Sequence, residues 1–145
     1  MGNFIKRQTD VYQFQFLSTS PSDSTDYYCG SIVAALGVSA GGAQGRRVRF
    51  LKNGFITSVS FELSQSTNGS GETVNIYLYN VDTTISTLIG TFTSNFGVST
   101  ITNFIFNDLF IMINNTDKYS IRIQAPAFVT NPANWIGSFN VQIIS

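Results

Sequence analysis

The stretch Phe55-Ile56-Thr57-Ser58-Val59-Ser60-Phe61-Glu62-Leu63-Ser64-Gln65, with Thr73-Val74-Asn75-Ile76-Tyr77-Leu78-Tyr79-Asn80 shortly after it, decides the fold class. In the first, Val59, Phe61 and Leu63 alternate with Ser58, Ser60, Glu62 and Ser64. In the second, Val74, Ile76 and Leu78 alternate with polar or tyrosyl residues. Successive side chains of a strand point to opposite faces, so a period of two predicts strands with one buried face. Asn68-Gly69-Ser70-Gly71 between them is turn chemistry, and Asn53-Gly54 ahead of them reads as a tight turn.

The same pattern extends in both directions. Downstream, Leu88–Thr93, Thr100–Phe106 and Leu109–Ile113 read as strands, and Asn114-Asn115-Thr116-Asp117 turns the chain into Lys118–Gln124. There Tyr119, Ile121 and Ile123 share a face, and in Trp135–Ile144 so do Trp135, Phe139, Val141 and Ile143. Upstream, Arg46–Leu51 reads as a strand with Val48 and Phe50 inward, after a flexible Gly41–Gly45 connection. Tyr27–Val38 fits either a strand or a short helix. Val11–Leu17 alternates aromatic and polar residues and ends in a run of Ser, Thr, Pro and Asp. No segment carries a helical stripe. About eight to ten short strands with turn signals between them predict an all-β, antiparallel β-sandwich, preferably a jelly roll. Its expected core holds Val59, Phe61, Leu63, Val74, Ile76, Leu78, Ile121, Ile123, Phe139, Val141 and Ile143.

Two domain parts are expected: an N-terminal attachment arm over residues 1–25 and a sandwich over 26–145. A lone strand leaves backbone groups unpaired unless it joins a sheet edge. If that edge belongs to a neighbouring protein, Tyr12, Phe14 and Phe16 are the anchors. The alternative is that Val11–Leu17 is an ordinary first strand of its own sandwich.

Composition narrows the function. Of 145 residues 43% are hydrophobic and only 11% charged, against about 25% charged in ordinary soluble domains. So little charge suggests that other subunits cover part of the surface, and a homo-oligomer, expected as a homotrimer, follows. The net charge of zero gives no basic footprint for nucleic acid. The longest apolar runs are too short to span a bilayer, and the first residues match neither a secretory leader nor a myristoylation signal. Synthesis in the cytoplasm as a soluble chain is the expectation.

Catalytic chemistry is sparse. There is no His, so a nucleophile has no usual base, and the single Cys29 reads as a buried, inert thiol. Neither an enzyme, a cofactor nor a metal is expected. Glu62 and Glu72 could make a glycosidase pair only in principle, since each reads as a solvated strand residue. Asn114–Asp117 and Asp82-Thr83-Thr84 could offer oxygens to a cation, but turn chemistry accounts for both. Arg46, Arg47 and Arg49 read equally as a patch for an acidic neighbour or as a charged edge that deters stray pairing. Tyr77, Tyr79 and Trp135 are candidates for a subunit contact or for stacking on a sugar ring.

Tyr27-Tyr28-Cys29-Gly30, Arg46–Phe50 with Asn53-Gly54-Phe55-Ile56, Gly71–Asn80 and above all Tyr119–Asn134 resemble successive strands of viral fibre-head and capsid-decoration domains. The resemblance covers roughly residues 27–145 and rests more on composition than on invariant residues. It implies a β-sandwich displayed on a virion, commonly as a homotrimer, with other capsid or virion proteins as partners and no catalytic motif to carry over. Without a coiled-coil or repeat shaft, a small knob, cement or minor capsid protein is implied rather than a long fibre. The competing expectation is a carbohydrate- or receptor-binding module on the same fold, with a host-surface glycan as its ligand.

Overall fold

The computed structural model describes residues 7–18, 21–30 and 47–145. These form nine strands: β1 (Thr9–Ser18), β2 (Asp26–Cys29), β3 (Gly54–Ser64), β4 (Thr73–Asn80), β5 (Ser86–Thr93), β6 (Thr102–Phe106), β7 (Ile111–Ile113), β8 (Tyr119–Gln124) and β9 (Trp135–Ile144). All pairings are antiparallel and build two sheets. The first runs β1-β9-β3-β6, with β7 also paired to β3, and the second runs β2-β8-β4-β5.

The pairings are nested. β1 meets β9, β2 meets β8, β3 meets β6 and β7, and β4 meets β5. The chain is therefore one long hairpin, folded about the β4–β5 turn and rolled until β9 also pairs β3 and β8 also pairs β4. That is the jelly roll expected from the sequence. β6 and β7 act as one strand in two pieces, separated where Asp108 takes a φ of 55°.

The core lies between the sheets. Across the first sheet, Phe14, Phe139, Phe61 and Phe104 stand in one register row, and Phe61 stacks on Phe139 at 4.0 Å and 3°. From the second sheet Phe92 reaches Phe61 at 5.6 Å. All eleven residues expected in the core are buried. Their period-two phase was set by the need to hide one face of each strand.

Three expectations are corrected. Over its described strand the expected arm of residues 1–25 is not apart from the core: β1 pairs with β9 along its whole length, and Phe14 is fully buried. The free energy of that pairing and burial belongs to this domain, whatever the segment does elsewhere. Arg46–Leu51 is not a strand over its described part. Val48 alone bridges Tyr119, at 2.7 and 2.8 Å, beside β2 on the same edge of β8. Asn53-Gly54 is not a hairpin turn, because Gly54 opens β3 where a Cβ would lie 2.4 Å from the Ile144 carbonyl oxygen. Glycine is there for close strand approach. The strand alternative for Tyr27–Val38 agrees with β2 over its described part, and its remainder from residue 31 lies outside the described residues.

Candidate assembly surface

The two outer sheet faces differ in chemistry. On the first sheet, alternation sends Thr9, Val11, Gln13 and Gln15 of β1 outward, with Ser138, Asn140 and Gln142 of β9. Ser58, Ser60, Glu62 and Ser64 of β3 and Asn103 and Ile105 of β6 join them. Among the described residues of these strands, Glu62 is the only charged side chain on this face. Its cross-strand bonds are few, chiefly Ser58 Oγ donating to Gln142 Oε1 at 2.7 Å. Apolar side chains frame both ends. Ile136 and Ile101 are 53% and 74% exposed at one end, and Phe110 and Met112 are 76% and 71% exposed at the other.

The second sheet's outer face is occupied by its own contacts. Arg122 pairs with Asp26 at 2.9 Å, donates to Ser86 Oγ at 3.0 Å and lies 5.2 Å from the Tyr77 ring centre. Tyr77 Oη donates to Gln124 Oε1, which also accepts from Asn75. Tyr28 and Tyr79 pack as tilted rings, 5.2 Å apart at 59°, in a small buried cluster with Val81. Burial, with Asp26 nearby, pushes the Tyr28 hydroxyl above its ordinary value.

The residues singled out from the sequence do not converge on one site. Tyr12 and Phe14 turn inward, both packing edge-on against Phe50. They serve the domain's own core, so the anchor reading is corrected for both. The side chain of Phe16 and all of Arg46 lie outside the described residues. Arg47 and Arg49 are exposed on either side of half-buried Val48. Asp82 is held below the usual carboxylate range, first by the Lys118 N–H and in smaller part by the Lys118 and Arg47 charges.

Trp135 is fully buried, and its Nε1 donates to Gln65 Oε1 at 3.0 Å. It cannot meet a ligand or a subunit from solvent. Tyr79 is buried as well, and Tyr77 is half-buried beside Arg122. Of the three aromatics, Trp135 and Tyr79 are buried, and only Tyr77 keeps part of its surface exposed.

Glu62 and Glu72 are also apart in role. Glu72 is a latch: it accepts from Val129 N–H at 2.9 Å, Ser94 Oγ at 2.9 Å and Ser70 N–H at 3.1 Å. The Val129 N–H foremost holds this carboxyl below its ordinary range, opposite to what a general acid needs. Among the described residues no cluster of three His, Cys, Asp or Glu side chains could hold a metal. The oxygens of Asn80 and Asp82 are engaged by the N–H groups of Asp82, Thr83 and Lys118. No described helix is long and apolar enough to cross a membrane.

No family model matches the chain, and neither does any curated protein. Solved structures of infectious bursal disease virus do match. The Gx strain structure aligns with a TM-score of 0.48 and 13% identity, covering 96% of this chain and 32% of that one. The VP2 subviral particle gives 0.49 and 13%, covering 97% and 33%. The Gt strain gives 0.42 and 16%, covering 96% and 33%. The chain thus spans about a third of the length of the solved chains it matches.

Proposed function

We propose that this chain is a non-enzymatic structural protein of a virus particle, a capsid-decoration, minor capsid or short fibre-head module. It assembles through the outer face of its first sheet, with a homotrimer as its own unit and other virion proteins as partners. The observation that carries the assembly part is that face: framed by exposed apolar side chains, and bearing Glu62 as its sole charge among the described strand residues. A sheet face kept in water normally carries charges that solvate it and oppose stray association. Short Ser, Asn and Gln side chains are cheap to desolvate against a partner that returns their hydrogen bonds. The virion part rests on the strand-by-strand resemblance over residues 27–145, with which a jelly roll is compatible. Fold alone does not choose among functions.

The test is whether the chain copurifies with virus particles in a stoichiometric, symmetry-related copy number. Light scattering on the isolated protein is expected to give a trimer. A monomer throughout the micromolar range would remove the autonomous trimer, and particles devoid of the chain would overturn the virion reading.

A further inference from the structure

At one end of the first sheet the outer face deepens into an open groove of about 500 Å³. Its floor is a row of side chains from adjacent strands. Met112 of β7 stands beside Phe55 of β3, and Phe55 stands beside Ile144 of β9. At about 5 Å per strand this apolar row is roughly 10 Å long. Phe110 walls it by stacking on Phe55 at 4.1 Å and 13°, yet stays 76% exposed. Asn53, Asn114 and Ser145 also line it, and among the described residues Arg7 is the only charged one lining the groove. Thr9 pairs with Ile144, so Arg7, two residues earlier on the same face, sits at the β1 end of the row. It has no ion-pair partner among the described residues.

We propose that this groove binds a monocarboxylate with an extended apolar body, such as a medium-chain fatty acid. The volume is that of a small-molecule site, and the chemistry is ordered along one line: an apolar trough, then the Arg7 guanidinium. The body lies over Met112, Phe55 and Ile144 against Phe110. The carboxylate meets Arg7, whose planar fork suits two parallel hydrogen bonds to it. A neutral occupant would leave that cation unused, and a dication would be repelled. The site is separate from the polar middle of the sheet, so a ligand here and a subunit there are compatible.

The test is calorimetric titration of the full chain with decanoate and, separately, with decanol. Decanoate is expected to bind at one site per chain and more tightly than decanol. Arg7→Gln should weaken decanoate about tenfold, the worth of a charge-assisted hydrogen bond, and leave decanol unchanged. Phe110→Ser changes an exposed residue, so folding is retained, and it should abolish binding of both. Equal affinity for the two probes, or decanoate binding insensitive to Arg7→Gln, overturns the proposal. So does an absence of saturable binding, or light scattering showing that Phe110→Ser dissociates an oligomer that covers the groove.

Discussion

The two outer faces of this sandwich are built from the same fold and answer to different rules. On the second sheet Arg122, Asp26, Ser86, Tyr77, Gln124 and Asn75 bond to one another, the buried Arg122 Nε being left without a partner among the described residues, and Tyr28 packs on Tyr79. On the first, short uncharged side chains stand with few bonds between them, and apolar groups gather at the ends. Strand periodicity places residues on a face, but composition decides whether the face is finished by its own contacts or by a partner's. A finished face rigidifies the monomer; an unfinished one is a resource for association.

The strongest way to break the contrast is to remove the edge of the first sheet. Deleting the chain through Ser18 strips β9 of one of its two partners along ten register pairs and takes Phe14 from the core. Loss of one buried Phe side chain costs about 3–5 kcal/mol, against a typical total of 5–15. With the ladder gone as well, the expected product is aggregated or unfolded, read by far-UV circular dichroism and gel filtration. A folded, soluble truncate would restore the arm reading.

Next in size is a change that should spare the fold and abolish assembly. Ser60→Lys with Asn140→Lys puts two cations, opposite each other in register, into the middle of a face whose described strand residues carry only the Glu62 charge, too few to pair both. Both positions are half-buried with side chains directed outward, and monomer stability should shift by no more than about 1 kcal/mol. Oligomer and particle association should be lost, because a buried unpaired charge is costly at an interface. If the doubly substituted chain still assembles, the first sheet's outer face is not the contact.

Arg122→Leu sharpens the other half of the contrast. It removes the ion pair with Asp26, the bond to Ser86 and the stacking over Tyr77. The side chains of Arg122 and Asp26 keep 20% and 34% of their surface exposed. Water therefore recovers part of the loss, and about 1–2 kcal/mol is expected in urea unfolding. Assembly should be unaffected. Loss of assembly at wild-type stability would show that the second face, too, meets a partner.

Much of this architecture was legible because burying one face of a strand leaves a local trace. Thr73–Asn80 and Trp135–Ile144 were bounded as the structure has them, and the period placed every expected core residue. What the sequence hid was set by distant contacts. Val11–Leu17 looked detached because its partner, β9, lies more than a hundred residues away, with no signal nearby. Asn53-Gly54 looked like a turn because a glycine needed for approach to Ile144 and one needed for positive φ are the same letter. Period two also fixes a side and not an exposure: Tyr79 does point away from Leu78, yet is covered by Tyr28 and Val81. The phase of β9, which put Trp135 with Phe139, was a better guide to Trp135 than its size and polar tip.

The smallest expected effect concerns the latch that ties the β3–β4 connection to the segment before β9. Glu72 accepts from Val129, Ser94 and Ser70, all favouring the carboxylate over the acid. Its folded pKa is therefore lowered from the ordinary 4.5. A carboxyl with a depressed folded pKa stabilises the fold above its unfolded value, and that contribution disappears as pH falls through the folded one. Thermal midpoints should therefore decline on acidification below the ordinary carboxylate range. Asp82, lowered by the Lys118 N–H, works in the same direction, so the wild-type curve alone cannot isolate the latch. Glu72→Gln does: Gln keeps an oxygen for one N–H but has no proton to gain. Its midpoint should be modestly lower than wild type at neutral pH, and the gap should narrow as wild-type Glu72 protonates. A gap constant down to acid pH would mean that Glu72 acts through packing, and its charge would contribute nothing to holding the two loops.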